Sequence, residues 1–131
     1  MRKLRLVSLL LGLAIALPLF AQEGHPLKGA WLGDWGPTKE HRNQITVVLD
    51  WDGKNITGAV NPGPEAIPLQ KASLNPQGWQ VHLEFAAKDR SGNPVQYVVD
   101  GKIENLGLYN RSLVGTWSHG NVKGDFKITR Q

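Results

Sequence analysis

The residues of this chain that could do chemistry are few and scattered. His41 and His119 fall in separate polar connectors, with Glu40 beside the first and Glu65 in a third connector. Two imidazoles and a carboxylate brought together could hold zinc or move protons. Nothing in their spacing requires them to meet, and solvent-facing loop histidines are the plainer reading, because a site needs geometry before chemistry. His82 alternates with Val81 and Leu83 and is expected on a solvent face. Asp50-Trp51-Asp52-Gly53 has the acidic look of a calcium loop. The further oxygen ligands and the distant glutamate that such a loop needs do not follow. Asp-Gly is instead a strong two-residue hairpin signal. Ser118 and His119 are adjacent, whereas catalytic triads are assembled in space and not along the chain. Gly-x-Ser-x-Gly, phosphate-loop and His-Glu-x-x-His patterns are absent from the sequence. The chain contains no cysteine, which excludes thiol catalysis, thiolate zinc sites, a lipid-bearing cysteine and disulfides. These readings predict no catalytic residue, no metal site and no cofactor; the protein is not expected to be an enzyme.

The elements that must position these residues are legible from hydrophobic rhythm. After residue 27 the chain reads as eight short apolar–polar alternations separated by Gly, Pro, Asn and Asp. Period-two alternation marks half-buried strands. The segments are Lys28–Trp35, Gln44–Trp51, Asn55–Val60, Ile67–Leu74, Trp79–Ala86, Val95–Ile103, Ser112–Ser118 and Gly124–Arg130. Their inward sets include Trp31 and Trp35; Ile45, Val47, Leu49 and Trp51; Ile56 and Val60; Val81, Leu83 and Phe85; Tyr97, Val99 and Ile103; Leu113 and Trp117; Phe126 and Ile128. In Ile67–Leu74, Pro68 and a break in alternation at Lys71 predict a bulge or an edge. Pro62-Gly63 and Asn75-Pro76-Gln77-Gly78 suit tight turns. Glycines in mid-strand at Gly33, Gly58, Gly101 and Gly115 suit a sheet that bends sharply. The fold class expected is all-β: an eight-stranded antiparallel up-and-down barrel, whose closure removes exposed edges.

In a meander the connectors sort by end. Gly36–Asn43, Asn61–Ala66, Ala87–Pro94 and His119–Lys123 share one rim, with Lys39, Glu40, His41, Arg42, Glu65, Arg90 and His119 among their polar groups. That rim is the expected mouth, since function concentrates on loops held by a rigid scaffold. Trp35 and Trp117 end strands there and are expected as aromatic walls of a ligand site, with His41, Arg42 and His119 as its polar fringe. Trp31, Trp51 and Trp79 fall at the other end as a structural plug. Arg130 arrives beside them, and its guanidinium is expected over the Trp31 indole as a cation–π cap.

The first 21 residues read as a secretory signal. Met1–Arg5 is basic, Leu6–Phe20 is an uncharged, mainly apolar run of 15 residues broken by Pro18, and Ala21 precedes polar residues. A membrane span would need about 20 apolar residues. Residues 22–131 are then a single domain, with no membrane span after cleavage and a secreted or periplasmic destination. Three of the 15 basic residues lie in the signal, leaving 12 against 11 acidic ones in the domain. The basic pI therefore belongs largely to the signal, and no stripe of positive charge remains to bind nucleic acid.

Gly29-Ala30-Trp31 opening the first strand, with Arg130 closing the last, resembles the calycin superfamily of lipocalin- and avidin-type barrels. The chain also resembles small exported bacterial proteins of unassigned function that have a Trp-rich opening and a late Gly-Thr-Trp-Ser strand, here Gly115–Ser118. The expected function is non-enzymatic binding of a small, largely apolar molecule at the open end of the barrel. Because small calycin-type barrels include bacterial protease inhibitors, the resemblance also permits a module that binds an envelope protein.

Overall fold

The computed structural model describes residues 25–131; the expected signal, residues 1–21, lies outside the described residues. Among the described residues the chain forms nine antiparallel strands and no helix. They are β1 (Gly29–Gly36), β2 (Asn43–Trp51), β3 (Ile56–Val60), β4 (Ile67–Pro68), β5 (Lys71–Asn75), β6 (Gln80–Lys88), β7 (Pro94–Glu104), β8 (Ser112–His119) and β9 (Val122–Arg130). All belong to one curled sheet with the order β4-β3-β2-β1-β9-β8-β7-β6-β5. Every pairing joins sequence neighbours except β1 with β9, which brings the two ends of the domain together.

The count is nine and not the expected eight because the segment 67–74 divides. Pro68 has no N–H to give a ladder, and the two residues after it bond in opposite directions. The Leu69 N–H donates to the Gly58 carbonyl of β3 at 3.0 Å, and the Gln70 N–H donates to the Glu84 carbonyl of β6 at 2.8 Å. One broken stretch thus supplies both outer strands, β4 and β5, which do not pair with each other, so the sheet curls into a half-barrel that keeps two edges and is not the closed barrel expected.

Alternation places the core as the sequence reading expects. Val47, Leu49, Val60, Val81, Leu83, Phe85, Val99, Ile103, Leu113, Trp117, Phe126 and Ile128 are all buried, and Trp35, Ile45, Ile56 and Tyr97 pack against them half-buried. Such residues each contribute about 1.5–3 kcal/mol when fully withdrawn from water. The curl depends on glycine at close approaches. A Cβ on Gly33 would strike the Lys127 carbonyl oxygen of β9, and one on Gly115 would strike the Asp100 carbonyl oxygen of β7.

The hairpin at Asp52-Gly53 is longer than two residues. Trp51 pairs with Ile56, so the connection is 52–55. The Asp52 carboxylate accepts the Lys54 N–H at 2.8 Å and the Asn55 N–H at 2.6 Å, while Gly53 takes φ = 94°. Those donated hydrogens hold the Asp52 carboxyl below its ordinary pKa, Asn55 contributing most. The acidic run is therefore a side-chain-capped turn.

Candidate functional site

The strand ends decide which side chains meet at each pole. Connections 37–42, 61–66, 89–93 and 120–121 lie at one end of the sheet; 52–55, 76–79 and 105–111 lie at the other. Near the first end the apolar stripe does not fill the space it encloses. A cavity of about 120 Å³ remains, lined by residues that include Trp35, Val60, Ile67, Phe85, Tyr97 and Trp117. Apart from the ring atoms of Trp and Tyr, Asn61 is the one polar residue of that lining, and no charged side chain belongs to it.

Aromatic rings frame the cavity. Trp35 and Trp117 meet edge to face, with centroids 4.9 Å apart and planes at 85°. Tyr97 stacks on Phe85 at 5.2 Å with planes 8° apart, and stands nearly perpendicular to Trp35 with centroids 6.2 Å apart. Both geometries suit the ring quadrupole. The Trp117 indole N–H donates to the Asp125 carbonyl at 3.1 Å, which fixes that ring. Burial pushes the Tyr97 hydroxyl pKa upward and keeps it neutral.

The polar fringe expected from sequence divides. His119 packs 4.8 Å from Tyr97 and stacks on Trp117 at 5.9 Å, so it joins the aromatic group. His41 stays within its own loop, exposed, its Nδ1 3.0 Å from the Thr38 hydroxyl. Arg42 lies against the outer face and not against the cavity. It bonds the Asp34 carboxylate through Nε and Nη2 at 3.1 and 2.7 Å, and the Asp125 carboxylate through Nη1. These partners, Asp34 foremost, raise the guanidinium pKa further. Arg42 thus ties the 37–42 loop to β1 and β9.

The opposite end is solidly packed. Trp31 and Leu27 are fully buried, at 0 % exposure each, and the Trp31 indole N–H donates to the Leu27 carbonyl at 2.8 Å. Trp51 stacks on His25, with centroids 4.6 Å apart and planes at 19°. Trp79 packs half-buried against the core in a left-handed turn conformation, with φ = 52°. Arg130 is the register partner of Trp31, yet its guanidinium covers Tyr109, not the Trp31 indole, 4.5 Å from the ring centroid. Its Nε donates to the Lys28 carbonyl at 2.7 Å. The 105–111 connection reaches across this end and displaces the expected cap.

One cluster escaped the sequence reading. His82, on the outer face, lies between two carboxylates: Nδ1 is 2.6 Å from Asp100 and Nε2 is 2.7 Å from Glu84. Asp100 first, then Glu84, raises the imidazole pKa. His82 and Asp100 are direct cross-strand partners, so only the β6–β7 register could have revealed the pair. Among the described residues, no three His, Cys, Asp or Glu side chains are placed to hold a metal ion together.

The class of protein shown by these features is an all-β chain built on one curled antiparallel sheet. No family model, no curated protein and no solved structure matches the chain.

Proposed function

We propose that this is an exported, non-enzymatic binding protein that takes a small, largely apolar ligand at the open end of a calycin-like barrel. The observation that carries the reading is the apolar cavity framed by Trp35, Phe85, Tyr97 and Trp117. Concave apolar sites with a few polar groups at their margin are the usual places for small molecules to bind. At the opposite pole Leu27 and Trp31 are fully buried and seal the interior. The signal-like residues 1–21 support export to the periplasm or beyond.

A second reading is a module that binds an envelope protein, such as a protease inhibitor. Leu108 and Tyr109 favour it: they stand 59 % and 66 % exposed on the connection at the sealed end. Tyrosine is enriched among the residues that dominate protein interfaces.

Native mass spectrometry of the processed protein, purified from its own cell envelope, separates the two. The first reading expects an added small-molecule mass that apolar extraction removes. The second expects co-purification of a protein at fixed stoichiometry, which a Tyr109→Ala variant loses. The bare protein alone, together with failure to bind any small apolar probe, would overturn the first.

A further inference from the structure

We propose that the open-end cavity is a receptor for one six-membered aromatic ring carrying a single uncharged hydrogen-bonding group, with phenol the simplest example. This rests on the ligand-binding reading above and narrows it.

Size is the first argument. Sites that bury a drug-sized ligand enclose about 300–1,000 Å³. This cavity encloses about 120 Å³. An apolar cavity of about 150 Å³ is known to admit benzene. One ring fits that scale, whereas a long acyl chain would leave most of its length in water.

Shape and ring chemistry are the second. Phe85 and Tyr97 are parallel to within 8°, while Trp35 and Trp117 stand at 85° to each other. The rings of the lining therefore stand at more than one angle. An aromatic guest can meet faces with its edge and edges with its face. A saturated guest of the same volume gains no such match.

Polarity is the third. The Trp117 N–H is already bonded to the Asp125 carbonyl, and the Asn61 side-chain oxygen already accepts the Thr46 N–H at 3.2 Å. The Asn61 amide N–H groups, the Trp35 indole N–H and the neutral Tyr97 hydroxyl remain as polar groups of lining residues that can meet a guest. Together they suit one hydroxyl or carbonyl. A charged guest would lose its hydration with no opposite charge in the lining to replace it.

The test is a titration of the exported protein followed through the indole N–H resonances of Trp35 and Trp117. The probes are phenol, toluene, cyclohexanol and octanoate. The expected result is that phenol saturates both signals at a concentration at least tenfold below cyclohexanol and octanoate. Tyr97→Phe should weaken phenol several-fold and leave toluene unchanged. Ala87→Phe, which fills the lining, should remove phenol binding while the far-ultraviolet circular dichroism stays unchanged; Val60→Phe is the second filling variant. If cyclohexanol or octanoate binds as tightly as phenol, the ring preference is overturned and the binding reading stands. If no probe shifts either indole, both are overturned. If a folded filling variant still binds phenol, the site is elsewhere and the proposal is overturned.

Discussion

Trp35 of β1 and Trp117 of β8 touch edge to face across β9, 4.9 Å between centroids, and both form the wall of the same cavity. They are not equivalent. Trp117 is buried and its N–H is bonded to the backbone of β9, whereas Trp35 is half-buried. Trp117→Ala is expected to cost about 3–5 kcal/mol, the range for removing a large aromatic from a core. Trp35→Ala should cost less than half as much. Urea unfolding of the two variants measures the difference, and equal losses would contradict the asymmetry.

His82 and His25 give stability opposite dependences on pH. The carboxylates of Asp100 and Glu84 raise the His82 pKa in the folded state, so folding takes up protons there. Its contribution is complete below the unfolded value of about 6.5 and disappears as pH rises through the higher folded value. Burial against Trp51 lowers the His25 pKa. Its contribution is complete above about 6.5 and falls away as pH drops toward the lower folded value. His82→Gln should flatten the alkaline limb of a stability–pH profile, and His25→Gln the acidic limb. Unchanged limbs in both variants would refute the assignment.

Two glycines should respond to alanine with opposite signs. At Gly115 the new Cβ would meet the Asp100 carbonyl oxygen and the Gly101 Cα, both backbone atoms. Overpacking of this kind costs about 1–3 kcal/mol. At Gly107 nothing lies within 4 Å and φ is not in the left-handed range. There the loss of unfolded-state freedom should stabilise by about 0.4–1 kcal/mol. Thermal unfolding of Gly115→Ala and Gly107→Ala tests the sign of each.

How much of this was legible in the sequence follows from what each feature needs. Strict alternation located Leu49, Leu83 and Val99 in the core, because side-chain direction in a strand has period two. Pro68 and Lys71 marked the break that became the gap between β4 and β5. The connectors sorted by end and placed Trp35 and Trp117 together. Leu27 was not legible, since it precedes any alternation and is buried by the turn that folds it under Trp31. The outward face of His82 and the arrival of Arg130 beside Trp31 were legible, but the contacts of Arg42, His82 and Arg130 were not. Their partners are fixed by register and by the 37–42 and 105–111 connections, which local pattern does not encode.

The sealed end depends on a clasp centred on Arg130. The side chain holds the Lys28 carbonyl and covers Tyr109, while its own carbonyl accepts the Asn110 amide at 2.7 Å. Arg130→Ala removes a charged hydrogen bond and a cation–π contact, for an expected loss of about 2 kcal/mol. Tyr109→Leu should cost about 0.5–1 kcal/mol through the second contact alone. A double-variant cycle should show coupling, and strict additivity would separate the two residues.

Binding at the open end requires apolar space that a guest can enter. Diffraction from a crystal held under xenon pressure tests this directly, because xenon occupies dry apolar cavities. The predicted result is a xenon atom bounded by Trp35, Phe85, Tyr97 and Trp117. An empty map there, with those rings closed upon one another, would contradict it.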